Sequence, residues 1–234
     1  MDDLLKIAGM IDHTLLHPTA TSDDLKRECD ISRKYKFASL CVKPYMVEET
    51  ATLLSGSGVK VCCVIGFPSG NSSILSKVYE ANDACINGAH EVDMVINVGK
   101  ALEGDWAYIE KEIGEIAEAC HDNGAELKVI IETDYVNKED DIIKLCEICT
   151  KVGADYVKTS TGFGYHKNEE GNLYYIGATV DHIKLIKASI GPNVKIKASG
   201  GIRTIEQAKA LVQAGAGRLG TSAGVSIAEQ ITAE

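Results

Sequence analysis

YVKTSTGFG, from Tyr156 to Gly164, combines β-branched and aromatic residues with a glycine break, so it reads as a strand over Tyr156–Thr161 that gives way to a loop at Gly162. Lys158 lies inside that strand near its C-terminal end, where an unpaired ammonium is costly to take out of water. KIKASGGIR, from Lys195 to Arg203, repeats the arrangement, with Lys197 in a strand that ends at Gly200. The two lysines are 39 residues apart (197 − 158 = 39), the length of one strand-helix-strand step. Parallel neighbouring strands would set the two ammonium groups facing each other. A free lysine has a pKa of about 10.4, and burial beside a second cation disfavours its charged form. Lowering that pKa by about 3 units takes roughly 4 kcal/mol and yields a nucleophile at neutral pH. The plainer alternative is that both side chains snorkel to solvent or pair with acids.

Outward from this pair the whole chain alternates strand-like and helix-like segments. A short leading helix to about Ala8 precedes a strand at Met10–Leu16 and a helix at Thr21–Tyr35, capped by Thr21 or Ser22. Further strands are expected at Phe37–Lys43, Val59–Phe67, Glu91–Asn97 and Leu127–Thr133, then the two lysine strands, then Arg218–Gly224. Helices fill the gaps: one opened by Pro44, then Ile74–Asn87, Gly104–His121, Lys138–Val152, Ala178–Ser189 and Thr204–Ala214. Eight strands alternating with eight helices predict a TIM (β/α)8 barrel forming a single domain over residues 1–234. An open doubly wound sheet is the rival, but no G-x-G-x-x-G follows the first strand. The longest loop, GFGYHKNEEGNLYYIG at 162–177, suits a lid or rim.

The formal net charge of −10 argues against a nucleic-acid partner or an anionic membrane surface. No apolar run approaches 18 residues, and acids stand at the start where a secretory signal carries basic residues, so a cytoplasmic location is expected. Of the eight cysteines, Cys41, Cys62, Cys63, Cys85 and Cys120 fall inside apolar segments and read as buried thiols. Cys146 and Cys149 are spaced C-x-x-C, but on a helical pattern and with no second pair or H-x-x-x-H to complete a zinc site. No metal and no cofactor are expected, and a homodimer is the default assembly.

The barrel reading demands polar residues towards the C-terminal ends of strands, where this fold carries its chemistry. Asp12 and Thr14 meet the demand on the first strand, Asp93 and Asn97 on the fourth, Lys128 and Glu132 on the fifth, Lys158 and Ser160 on the sixth, and Lys197 and Ser199 on the seventh. A period of two puts each of the last four pairs on one face. Ser199-Gly200-Gly201 and Gly220-Thr221-Ser222, each ahead of a helix N-terminus, offer unobstructed backbone N–H groups to an anion, and in TIM barrels this corner takes phosphate. Glycine is also simply a turn residue.

These motifs together resemble the deoxyribose-phosphate aldolase family: IDHTLL at Ile11, CVKP at Cys41, GFPSG at Gly66, EVDMVIN at Glu91, KVIIET at Lys128, VKTSTGF at Val157 and KASGGIR at Lys197. The resemblance implies a class I aldolase that interconverts 2-deoxy-D-ribose 5-phosphate with D-glyceraldehyde 3-phosphate and acetaldehyde in deoxyribose phosphate catabolism. It implies that Lys158 forms the Schiff base, that Lys197 lowers the pKa of Lys158 and helps move protons, and that Asp93 gives and takes protons. Asp12, Thr14, Cys41 and Lys128 would line the pocket, while Gly162, Gly200, Gly201 and Ser222 would hold the phosphate with Gly220 in the same turn. Two departures stand out: Ser222 is followed by Ala223 where some members have a second serine, and Ile231-Thr-Ala-Glu234 lacks the tyrosine some members carry in a tail. Another phosphosugar Schiff-base aldolase, or a sugar-phosphate-binding barrel without catalysis, are the alternatives.

Overall fold

Eight short strands run parallel and close on themselves: β1 (Ile11–Leu15), β2 (Ser39–Val42), β3 (Lys60–Ile65), β4 (Glu91–Val95), β5 (Glu126–Ile130), β6 (Tyr156–Lys158), β7 (Lys195–Ser199) and β8 (Arg218–Thr221). The computed structural model of the protein describes residues 6–233. Each strand pairs with its neighbour in sequence and β8 pairs with β1, which is the closure of a TIM barrel. Around the barrel stand α1 (Ser22–Tyr35), α2 (Val47–Leu54), α3 (Ile74–Ile86), α4 (Val98–Leu102), α5 (Trp106–Asp122), α6 (Glu139–Val152), α7 (Val180–Ser189), α8 (Ile205–Ala214) and α9 (Gly224–Ala233). Residues 6–8 are helical, and the beginning of the expected leading helix lies outside the described residues. The apolar core lies between strands and helices, where outward residues such as Val92, Val129 and Ile196 meet Ile113, Leu145 and Ile186.

Local chemistry accounts for the element ends. Thr21 and Asp24 form a reciprocal capping box at the start of α1. The fourth strand stops at Val95 rather than Asn97, because the Asn97 side chain accepts from Lys100 N and caps α4 while its own N–H goes to Glu112. The fifth stops at Ile130, and Glu132 takes a left-handed backbone with φ 52°, so it does not share the inward face of Lys128. The sixth stops at Lys158, short of Thr161, since the Thr159 hydroxyl replaces a ladder partner, donating to Ser199 O and accepting from Ser199 N. The eighth stops at Thr221, and Gly224 already belongs to α9.

The 162–177 loop is built as a rim. A two-stranded hairpin, His166–Lys167 against Leu173–Tyr174, occupies its middle. Its entry is held by Glu132, which accepts from the Thr161 backbone and hydroxyl, and its exit by Asp134, which accepts from Ile176 N and Gly177 N at 2.6 and 3.0 Å. Behind β3 and β4, buried Lys77 donates to Gly70 O, Val95 O and Glu112, each at 2.7 Å, which fixes the loop between β3 and α3.

Candidate active site

Inward residues alternate along each strand, so the register sorts them into layers of four from alternate strands. The lowest holds Ser39, Glu91, Tyr156 and Arg218; the next holds Asp12, Cys62, Lys128 and Lys197; the third holds Cys41, Asp93, Lys158 and Gly220. Thr14 and Ser199 stand one level higher. Most TIM barrels fill this space with branched apolar side chains, but here it is largely ionic. Asp12, Glu91, Asp93, Lys128 and Lys197 have no exposed surface.

Lys158 and Lys197 are register partners, as the 39-residue spacing requires. What the spacing could not reveal is the group between them. One oxygen of Asp93, Oδ2, accepts from Lys158 Nζ at 2.7 Å and from Lys197 Nζ at 2.6 Å. Its other oxygen accepts from Lys128 Nζ at 2.9 Å. Asp12 Oδ2 lies 2.6 Å from Lys197 Nζ, and Asp12 Oδ1 takes the Ser39 hydroxyl and the Arg218 guanidinium. Asp93 is therefore the hub, and the repulsion between the two lysines is bridged by a shared carboxylate.

The electrostatics follow from this wiring. Burial alone raises the Asp93 pKa, but the charges of Lys128, Lys158 and Lys197 outweigh it and hold the group well below the ordinary carboxylate range. Burial likewise disfavours a charged Lys197, yet Asp12 and Asp93 overcome that and raise its pKa. Lys128 is raised in the same way, with Asp93 the strongest of the attractions. At rest, Asp93 is a carboxylate and Lys197 an ammonium.

Above this layer opens a cavity of about 430 Å³. Lys158, Thr14, Gly162, Gly200, Gly201, Gly220 and Ser222 all line it, so the structure gathers the lysine and the expected phosphate corner in one space. Asp12, Cys41 and Lys128 do not line it, contrary to the expectation of pocket-lining roles; all three are fully buried, Asp12 and Lys128 in the layer below Lys158 and Cys41 within its layer. Gly162, Gly200 and Gly201 have φ between 76 and 90°, a backbone that glycine adopts without strain. Gly220 is small for another reason: a Cβ there would lie 3.0 Å from Lys197 Cε and 2.9 Å from Ser199 Cβ. Asn97, Glu132 and Ser160 are not brought to the cavity; Ser160 Oγ pairs with Thr133.

Sequence reading missed the lowest layer. Glu91 and Tyr156 stand two residues before Asp93 and Lys158, and Arg218 two before Gly220, so the period of two already used for the catalytic layer would have found them. Cys62 falls in an apolar stretch of sequence, yet its thiol touches Asp93 and Lys128 at 3.2 and 3.3 Å. Cys41, Cys62 and Asp93 bring donor atoms within 4.8 Å of one another, but both Asp93 oxygens already hold ammonium groups that a metal ion would have to displace.

A lysine emerging from a TIM-barrel strand beneath a glycine-lined cavity, with a carboxylate on its amine that a second lysine shares, is the arrangement of a Schiff-base aldolase. The model of the DeoC/LacD family aldolases matches residues 6–231. The chain belongs to that family. A deoxyribose-phosphate aldolase of Caldanaerobacter subterraneus subsp. tengcongensis is 47% identical over 230 residues, covering 98% of this chain and 95% of the relative. One from Brevibacillus brevis is 49% identical over 217 residues, 93% of this chain and 92% of the relative. Among solved DeoC/LacD-type structures, the tetrameric deoxyribose phosphate aldolase from Aeropyrum pernix superposes with a TM-score of 0.87 at 30% identity, covering 99% of this chain and 93% of that one. The DeoC/LacD aldolases are lyases, and the barrel described above is their fold.

Proposed function

We propose that this aldolase reversibly cleaves 2-deoxy-D-ribose 5-phosphate to D-glyceraldehyde 3-phosphate and acetaldehyde, with Lys158 as the Schiff-base residue. The observation that carries the reading is the single buried Asp93 oxygen in contact with both Lys197 and Lys158, the lysine that lines a glycine-rich cavity. Lys158 is the member of the buried lysine set that reaches the cavity, so its amine meets the open-chain aldehyde.

The neutral amine adds to C1, and the carbinolamine loses water to give a protonated imine. Electrons of the C2–C3 bond then flow into the iminium as the C3 hydroxyl gives up its proton, releasing the phosphorylated aldehyde and leaving a two-carbon enamine. Protonation at C2 and hydrolysis return acetaldehyde and the free lysine. Each step moves a proton near Nζ, where Asp93 accepts and Lys197 donates. The iminium is the electron sink, so the chemistry requires no metal.

Phosphate is assigned to Gly162, Gly200, Gly201 and the Gly220–Ser222 turn, whose backbone N–H groups and α9 N-terminus favour an anion in a chain of net charge −10. Thr14 contacts the sugar, whereas Asp12 and Lys128 support the reacting groups from below and Cys41 packs in their own layer. We infer a cytoplasmic homo-oligomer of single-domain subunits, with a homodimer the default; no helix among the described residues is long and apolar enough to cross a membrane.

Acetaldehyde with borohydride tests the Schiff base. A two-carbon adduct mapped by mass to Lys158, formed with acetaldehyde and also with the phosphosugar in its place, is the expected result. No adduct at Lys158 ends the aldolase reading. A panel of phosphosugars separates this substrate from those of other Schiff-base aldolases.

A further inference from the structure

Two buried carboxylates in the turn after β5 hold the two ends of the 162–177 loop. Glu132 takes the entry through Thr161, and Asp134 takes the exit through the N–H groups of Ile176 and Gly177. Neither lines the cavity, and neither has a part in the steps above. The exit is where the loop meets the phosphate corner. Ala178 N donates to Gly200 O at 3.0 Å. Gly177, with φ 71°, approaches so closely that a Cβ on it would stand 2.3 Å from Gly200 O. A Cβ on Gly201 would lie 3.5 Å from Ile176 O and 3.8 Å from Tyr175 Cε2, and Tyr175 itself lines the cavity. We propose that Asp134 is a positioning residue for the substrate's phosphate: its hydrogen bonds to Ile176 and Gly177 hold the loop exit against Gly200 and Gly201 and so fix the anion-binding turn. This deepens the aldolase reading and rests on it.

The argument is one of preorganisation. A turn grips an anion well when its N–H groups are already aimed, because any ordering left until binding is subtracted from affinity. Gly200 and Gly201 supply little of that order themselves. Both have positive φ and no side chain to pack, and glycine gives up more backbone freedom on being fixed than any other residue. The loop exit packs on both of them, so it can supply the order from outside. It needs an anchor of its own, since Ile176 is 54% exposed and the hairpin before it is also largely exposed. Asp134 is that anchor. Its Oδ1 accepts from Ile176 N at 2.6 Å and from Gly177 N at 3.0 Å, and Oδ2 lies 3.3 Å from Gly177 N. A carboxylate makes such bonds stronger than a neutral acceptor does. Asp134 is locked in turn: its carbonyl accepts from His166 Nε2 at 2.6 Å, and Gly164 lies so near that a Cβ there would stand 2.8 Å from Asp134 Cβ. Glu132 is the less selective probe, because its charge also interacts with that of Lys158.

The test compares Asp134→Ala and Asp134→Asn with the wild type. The measurements are kcat and KM for 2-deoxyribose 5-phosphate, inhibition of that reaction by inorganic phosphate, kcat/KM for unphosphorylated 2-deoxyribose, and acetaldehyde trapping at Lys158. Asp134→Ala should raise KM and the inhibition constant of phosphate together, by about tenfold or more. Its trapping, its kcat and its activity on the unphosphorylated sugar should stay within about threefold of wild type. Asp134→Asn keeps an oxygen for both N–H groups and should stay within about threefold on every measure. A merely structural role lowers trapping and activity on both sugars in step, and that result overturns the proposal. So does Asp134→Ala with KM and phosphate inhibition unchanged, or Asp134→Asn as impaired as Asp134→Ala. If Asp134→Ala does not fold, Gly177→Ala, whose methyl would press on Gly200 O, takes its place with the same expected split. Failure of the wild type to trap at Lys158 removes the aldolase reading itself. A wild type that traps, yet handles 2-deoxyribose as well as its 5-phosphate, leaves the Schiff base standing and overturns the role of Asp134.

Discussion

Replacing Lys197 by Leu isolates the second lysine from the first. In the native protein Lys197 Nζ gives one contact of 2.6 Å to Asp93 and another of 2.6 Å to Asp12, both fully buried. Removing one partner of such a buried ionic network costs about 3–5 kcal/mol, because the remaining charges keep their desolvation without compensation. For a chain of this size that is a fall in Tm of roughly 6–20 °C, at about 2–4 °C per kcal/mol. The barrel is otherwise closed by backbone pairing that Lys197 side-chain chemistry does not touch, so far-ultraviolet circular dichroism should be retained. Loss of a general acid beside the reacting amine typically costs about 10²–10⁴-fold in rate. Cleavage of the phosphosugar, followed through release of the triose phosphate, should therefore drop at least about a hundredfold in kcat, with KM much less affected because Lys197 does not line the cavity. A folded Lys197→Leu enzyme that turns over at the wild-type rate would refute the assignment of proton transfer to this residue.

Gly220→Ala should impair catalysis by geometry alone, since the added methyl meets Lys197 Cε at 3.0 Å and Ser199 Cβ at 2.9 Å. Overpacking of this kind costs about 1–3 kcal/mol, and a displacement near 1 Å costs about a hundredfold in rate, so a kcat near wild type would show that Lys197 has room to spare. Stability should fall in acid: Asp12 and Asp93 are held below their ordinary values, and Glu126, paired with Lys60 and Lys195, is lowered to about 2. Groups depressed on folding contribute fully above their unfolded pKa of about 4, and their contribution disappears as pH falls towards the folded values. Tm should be level near neutrality and decline below about pH 4, and a Tm independent of pH down to 2 would contradict the ionic interior.

The strand-helix alternation, the 39-residue lysine spacing and the glycine breaks at Gly162, Gly200 and Gly220 determined a barrel with two lysines on neighbouring strands, because period and turn chemistry are local properties written along the chain. Sequence could also place Asp93 and Lys128 on inward faces, since alternation is strict within a strand. It could not say that one carboxylate oxygen joins Lys158 to Lys197, that Asp12, Cys41 and Lys128 lie below the cavity instead of around it, or that Arg218 and Glu91 form a floor beneath them. Those facts depend on how far each strand is staggered against the next. Residues up to 206 positions apart, Asp12 and Arg218, come within 2.6 Å only when β8 closes on β1. Closure and stagger are decided by the packing of all eight strands together, and no single stretch of sequence contains them.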